Sequence, residues 1–424
     1  MMPRMSAQSS RTSETTSVRS AEFRAVIGVT LFIMFGYGLI VPTLPLFAKK
    51  FGVHEAGIGV LFAAFALTRL LADFVVGRTI DRVGERATVA AGAAIVGISS
   101  AAAGAAPSFT WLVILRGVGG AGSALFLGAI TAHIVGTVTS AERGRAMGAF
   151  QGAIQVGLLL GPVFGGLIGS SFGVEVPLYV YGAICIASAP LCLRAMRERH
   201  VPAEVMDEAP SLPDSVPAST APAWRRLRPL FGDSAYRAAL LGSAAGMYLA
   251  SGIPTLVTGF WVDVLHRTKG SVGVPYTVLG LTSLVVVWHA GSLSDRIGRR
   301  SVLVPSLIAT AAITAVLGAG HSAAMFVVWM AVLGAASGYA RPGPTSIVAD
   351  VSALETRAVA VAGYRFAADL GALVAPIVVG VVAQYANYGA AFVALAALPL
   401  AAAVVTAAAR ETAPSRVAPE LART

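Results

Sequence analysis

The chain has 424 residues, of which 56% are hydrophobic and only 12% charged. That charged share is about half that of an ordinary soluble domain and excludes a water-soluble globular fold. A net charge of +10 would suit a nucleic-acid binder, but the basic residues punctuate apolar runs instead of forming blocks interleaved with aromatics, so no nucleic-acid partner is expected.

Residues 1–23 are rich in Ser, Thr and Arg. They lack a short apolar core with a cleavage site, so they are expected to be a disordered terminal segment and not a signal peptide. Apolar runs then follow at about 24–48, 57–79, 87–106, 109–136, 145–170 and 176–195. After a break come runs at about 236–262, 272–293, 301–319, 323–349, 357–384 and 388–409. Each is long enough for a membrane-spanning helix of about 20 residues. A transmembrane barrel would instead show alternating segments of about ten residues. The break, 196–235, contains Glu198 to Pro222, a polar and Pro-rich stretch that predicts a flexible linker. The expected fold is therefore an all-α integral membrane protein of twelve transmembrane helices, in two six-helix halves at 24–195 and 236–409, with a tail at 410–424.

With the N-terminus inside, nearly all loop Lys and Arg fall on one side. Lys49, Lys50, Arg267 and Lys269 fall on the other. This asymmetry predicts a multi-pass plasma (inner) membrane protein with both termini cytoplasmic. Cys185 and Cys192 share one apolar run and read as packing residues, not as a disulfide or metal pair.

The halves repeat. Gly77-Arg78-Thr79-Ile80-Asp81-Arg82-Val83-Gly84-Glu85-Arg86 joins spans 2 and 3, and Gly291-Ser292-Leu293-Ser294-Asp295-Arg296-Ile297-Gly298-Arg299-Arg300 joins spans 8 and 9. Asp81 and Asp295 are 214 residues apart, and the same offset relates Pro162 to Pro376, Gly157 to Gly371 and Gly166 to Gly380. Two pseudo-symmetric bundles in parallel orientation are the architecture of a transporter with its site between them. In span 5, Gly157, Gly161, Gly165 and Gly169 recur every fourth residue and line one helix face, which predicts close helix contact in lipid. Pro162 puts a bend there. The second half has Ala375 for Gly161 and Val379 for Gly165, so the deep groove belongs to the first half; a seal against proton leak between the halves is one expectation for it.

These motifs resemble the major facilitator superfamily. The loop Gly77…Arg86 is similar to its signature between spans 2 and 3. Gly157…Gly166 and Leu115-Arg116-Gly117-Val118-Gly119-Gly120-Ala121-Gly122 resemble the fifth- and fourth-span motifs of its twelve-span drug:proton antiporters, and Gly38-Leu39-Ile40-Val41-Pro42-Thr43-Leu44-Pro45 resembles their first-span motif. Two departures stand out: no acidic residue lies between Arg24 and Lys49, and position 85 is Glu where the signature usually has a basic residue. The resemblance implies a part in proton coupling for Arg116. It also implies that Gly77, Asp81, Arg82, Gly84 and Arg86, with Asp295 and Arg296 in the second copy, latch the outward-facing state through span 11 near Thr356–Arg357.

Ionisable residues inside lipid are costly and mark pathways. Asp369 in span 11 is the leading proton carrier, since its first-half counterpart is Gln155. A structural pair with Arg365, one turn away, is the alternative. Arg69 and Asp73 share a face of span 2 and read first as a static pair, otherwise as part of the proton path. Tyr37, Phe126, Gln155, Tyr248 and Tyr364 are candidates to line a substrate cavity. His133 is expected to pack at a span end, and Asp263 to be a solvated cap. No phosphate-binding Gly-x-x-x-x-Gly-Lys-Ser/Thr loop and no metal-site spacing occurs, so no cofactor, metal or enzymatic activity is expected.

The expectation is a secondary transporter that exports small lipophilic compounds in exchange for protons. Its partners would be a small-molecule substrate, protons and the lipid bilayer, with no oligomer required. The alternatives are a symporter or uniporter importing a sugar or organic acid, and a non-transporting membrane sensor or scaffold.

Overall fold

The computed structural model describes residues 20–139, 142–196, 223–353 and 356–413. The first half holds α1 (Ala21–Lys49), α2 (Glu55–Val83), α3 (Glu85–Gly104), α4 (Phe109–Thr137), α5 (Arg143–Phe172) and α6 (Val176–Ala195). A short helix, α7 (Ala223–Gly232), precedes the second half. That half holds α8 (Ser234–Gly259), α9 (Gly273–Ile297), α10 (Arg299–Val316), α11 (Ala323–Ala340), α12 (Pro342–Val351), α13 (Arg357–Tyr385) and α14 (Tyr388–Ala408). No strand occurs among the described residues. Among the described residues, twelve helical stretches are long and apolar enough to cross a membrane. Their outer faces leave large apolar side chains uncovered, among them Phe32, Phe74 and Phe164. In water that would be a liability; against lipid tails it is the expected surface.

Two details differ from the sequence expectation. The tenth span is two helices, because Pro342 has no N–H to continue α11 and instead starts α12. The part of the linker that is described is helical: Leu230 of α7 is buried, and Phe231 stacks edge-on against Tyr236 at 5.9 Å. The flexible stretch expected at 198–222 lies wholly outside the described residues, as do 1–19.

The repeat is visible in the packing. α1 packs on α5 as α8 packs on α13, α2 on α4 as α9 on α11, and α3 on α6 as α10 on α14. Individual contacts repeat too. A Cβ on Gly120 would strike the Phe65 carbonyl, and one on Gly334 would strike that of Leu279. The turns into α3 and α10 both rest on a glycine with positive φ, Gly84 at 84° and Gly298 at 109°. An L side chain at either would be strained.

Between the halves, α2 packs on α13 and α5 on α9. The approach is closest on the face away from the termini. A Cβ on Gly59 would strike the Pro376 carbonyl, and one on Gly273 that of Pro162; Gly380 abuts Glu55, and Gly166 abuts Gly270. Toward the termini the same helices part. Gly77, Gly144, Gly148, Gly152 and Gly291 have nothing within 4 Å of an added Cβ. The molecule is thus closed on its far face and open on the face carrying its termini.

Candidate functional site

Where the α2–α13 contact gives way to the opening, four ionisable side chains meet. Arg69 and Asp73 sit one turn apart on α2, and Arg365 and Asp369 one turn apart on α13. The nearest Arg69 nitrogen lies 4.0 Å from Asp369 Oδ1. The Asp73 and Asp369 carboxyl groups interact directly, and Arg365 adds its charge to both. Asp73 is exposed to the opening and Asp369 is partly buried. Each pair separately looks like an intrahelical ion pair. Packing turns them into one cluster with a carboxylate from each bundle.

Arg116 is not in this cluster. It is 2% exposed, and its guanidinium stacks on Phe65 with the ring centroid 4.6 Å away. Tyr37 and Tyr181 face it, and Tyr37 also stacks on Phe65 and Tyr181 at 6.0 and 6.2 Å. No carboxylate among the described residues pairs with it, and its Nε has no acceptor. It stands apart from the Asp73–Asp369 pair because α4 turns it into the first bundle.

The residues expected to form the latch lie mostly exposed on the termini face. Asp81, Arg82, Arg296 and Gly77 are exposed, and Arg86 is partly buried with Nε lacking a partner. Asp295 pairs with Arg299 inside its own half, where Arg299 Nε also holds Asp350 Oδ2 at 3.2 Å. The helix starting at Arg299 is capped by Glu411, which accepts from the Arg299 and Arg300 N–H groups at 2.8 and 3.1 Å. A contact from this loop to span 11 requires the termini face to close, and here it is open.

Among the cavity candidates, Phe126 is 2% exposed and packs in the first core. Tyr248 is 6% exposed, with its hydroxyl donating to Ala394 O at 3.4 Å. Both are corrected to core positions, because their helix faces turn inward. Tyr37, Gln155 and Tyr364 remain partly exposed, and the Tyr364 hydroxyl is 2.9 Å from Thr345 Oγ1. The glycines of α5 are also divided. Gly157, Gly161 and Gly165 pack on α1 within their own bundle, against Leu31 O, Gly38 and Leu39 O. Gly166 and Pro162, on a different face of α5, meet the other half. The stripe itself therefore does not seal the gap between halves.

Two clusters were missed in the sequence. On the far face, Lys49 pairs with Asp263 across the halves and with Glu55 at 3.0 Å. The Tyr388 hydroxyl reaches Glu55 Oε1 at 2.6 Å and Asp263 Oδ2 at 3.2 Å. Asp263 is thus a cross-bundle partner and not a solvated cap. Nearby, Lys50 bonds Glu175 at 2.6 Å and holds that carboxyl below the usual carboxylate range. On the termini face, His133 lies between two carboxylates, with Nδ1 2.9 Å from Glu85 Oε2 and Nε2 3.1 Å from Glu22 Oε1. The unusual Glu85 was the one available signal for it. Cys185 and Cys192 are buried and free. No group of three or more His, Cys, Asp or Glu among the described residues could hold a metal ion.

The Major Facilitator Superfamily model matches residues 26–288 and 239–423. The chain belongs to the major facilitator superfamily. This superfamily member is 31% identical over 169 residues to "Multidrug resistance protein 2" of Bacillus subtilis (strain 168), covering 40% of the chain and 42% of that protein. It is 27% identical over 162 residues to "Quinolone resistance protein NorA" of Staphylococcus aureus (strain MRSA252), covering 38% of the chain and 42% of that protein. The matched stretch thus spans under half the length of either relative. In fold, it is similar to a bacterial homologue of the human lysosomal transporter Spinster in an inward-facing, unoccupied conformation, with TM-score 0.72 and 16% identity over 93% of this chain and 95% of that one. A nucleoside transporter NupG variant (D323A) gives TM-score 0.75 and 13% identity over 91% and 99%. At these identities the two structures speak for the fold alone. The chain is a multi-pass membrane transporter by family.

Proposed function

We propose that this chain exports small lipophilic compounds in exchange for protons, by rocking its two bundles about a central site. The observation that carries the reading is the meeting of Asp73 and Asp369 from opposite bundles, flanked by Arg69 and Arg365. Two carboxyl groups that close cannot both stay charged without cost, and a proton between them offsets the repulsion. When the bundles move, the carboxylates separate and their arginine partners change, so proton occupancy is tied to conformation. Asp369 is the carrier, and Asp73 is its partner. The multidrug and quinolone resistance relatives support export of drug-like compounds, and the Lys/Arg asymmetry supports cytoplasmic termini in the plasma membrane.

In inside-out vesicles, Asp369→Asn is expected to abolish pH-gradient-driven uptake of a substrate dye while the protein still reaches the membrane. Gradient-driven uptake at the wild-type rate would refute the assignment. Adding a protonophore to intact cells separates export from import: an exporter-bearing cell gains substrate, whereas a proton symporter loses accumulation.

A further inference from the structure

Arg116 is a permanent positive charge that the first bundle holds without a counter-ion among the described residues. A guanidinium stays charged and carries five N–H donors. Here it is 2% exposed, its guanidinium lies over the Phe65 ring, no carboxylate among the described residues pairs with it, and its Nε has no acceptor. Leaving a buried charge unpaired is strongly unfavourable.

The fold does not require that charge. Through the internal repeat, Arg116 corresponds to Met330, Phe65 to Leu279 and Tyr37 to Ser251. The equivalence is structural as well as numerical: Gly120 sits on the Phe65 carbonyl as Gly334 sits on that of Leu279, and Gly38 sits on Gly161 as Gly252 sits near Ala375. Met330 is fully buried in an apolar cluster with Phe260, Phe326 and Phe392. The same helix crossing is thus filled by a thioether in one half and by a caged cation in the other. Of the four side chains in the cage, Phe65, Tyr181 and Arg116 are buried and Tyr37 is partly exposed. Entry to the guanidinium therefore runs past Tyr37.

We propose that Arg116, with Tyr37 and Phe65, is a subsite for the acidic group of an aromatic organic acid. The carboxylate accepts from the guanidinium, including the Nε–H that has no acceptor, and the ring system rests beside Tyr37 and Phe65. The proposal narrows the substrate class of the transporter reading above to compounds bearing an anionic group, and it rests on that reading.

The test is equilibrium binding to the full chain in nanodiscs of uncharged phosphatidylcholine at neutral pH, with 2-naphthoate and its neutral isostere 2-naphthamide as probes. Wild type is expected to prefer the acid by about tenfold or more, the scale of one charge-assisted pair. Arg116→Met copies the residue that the second bundle tolerates, and is expected to reduce that preference to about twofold or less. Equal binding of acid and amide by wild type overturns the proposal without reference to any variant, as does a preference retained in Arg116→Met. No gradient is used, so a lack of pH-driven flux would sink the antiport reading while leaving this result intact. Lost flux in Arg116→Met with an unchanged acid preference would assign the arginine to coupling and overturn the subsite.

Discussion

Asp369, Arg116 and His133 show how one ionisable residue in lipid takes its meaning from what packs beside it. Asp369 faces a carboxylate of the opposite bundle, Arg116 faces aromatic rings, and His133 is wedged between Glu22 and Glu85. The histidine joins the starts of α1 and α3 to the end of α4. Removing it would leave two carboxylates facing each other across the space it filled. His133→Ala is expected to destabilise the protein by about 2 kcal/mol or more, as for other buried polar groups stripped of a partner. Thermal unfolding in detergent would show it as a lower midpoint, with part of the loss recovered by Glu85→Gln in the same background. An unchanged midpoint would reduce the cluster to a surface contact. None of these neighbours was legible from position in the chain: Glu22 and His133 are 111 residues apart.

At the scale of elements, glycines decide how closely helices approach. The α1–α5 crossing has Gly38 opposite Gly161, whereas the equivalent α8–α13 crossing has Gly252 opposite Ala375. A side chain at Gly161 would meet Gly38 at 2.5 Å, backbone that cannot move aside alone. Gly161→Leu is expected to cost at least the roughly 1–3 kcal/mol of an overpacked core and to lower both thermal midpoint and transport. Gly148→Ala on the same helix meets nothing within 4 Å and is expected to leave both unchanged. Equal effects of the two would mean that the stripe is ordinary helix surface. A second element-level device ties span 7 to the end of span 12. Asp233 accepts from Ala235 N–H at 2.9 Å and pairs with Arg410 at 2.6 Å, and that bond holds its carboxyl below the usual range. The stabilisation this gives is present above the unfolded carboxylate pKa of about 4 and is lost as pH falls through the lower folded value.

For the whole molecule, the closed far face and the open termini face are what one end state of the rocking motion proposed above would look like. The far face is held by backbone contacts at Gly59, Gly273, Gly166 and Gly380, and by the polar cluster of Lys49, Glu55, Asp263 and Tyr388. Lys49 is the one cation in that cluster, and it serves two carboxylates. Lys49→Met, combined with Tyr388→Phe, is expected to shift the population toward the state open on the far face. Spin labels at His54 and Arg267 would then show a growing long-distance population. An unchanged distance distribution would mean that the glycine contacts alone hold the face shut. Because Cys185 and Cys192 are both buried, labelling at new surface cysteines is favoured over the native ones.

The sequence by itself determined the membrane class, the twelve spans, the pairing of the halves and the family. Those features rest on local properties: length of apolar runs, spacing of glycines, and a repeat with a constant offset. It also singled out Asp369, Asp73, Arg69, Arg365 and Arg116, because a charge inside an apolar run is visible without a fold. Only the tertiary structure decided which of these meet. It joined two apparent intrahelical pairs into one cross-bundle site, turned Phe126 and Tyr248 into core, and turned Arg116 into an aromatic cage. It also directed the glycine stripe at α1 instead of at the other half. The physical reason is that charge, hydropathy and backbone spacing belong to each segment alone, whereas the partner of a helix face is set by rotation and packing against segments far away in the chain.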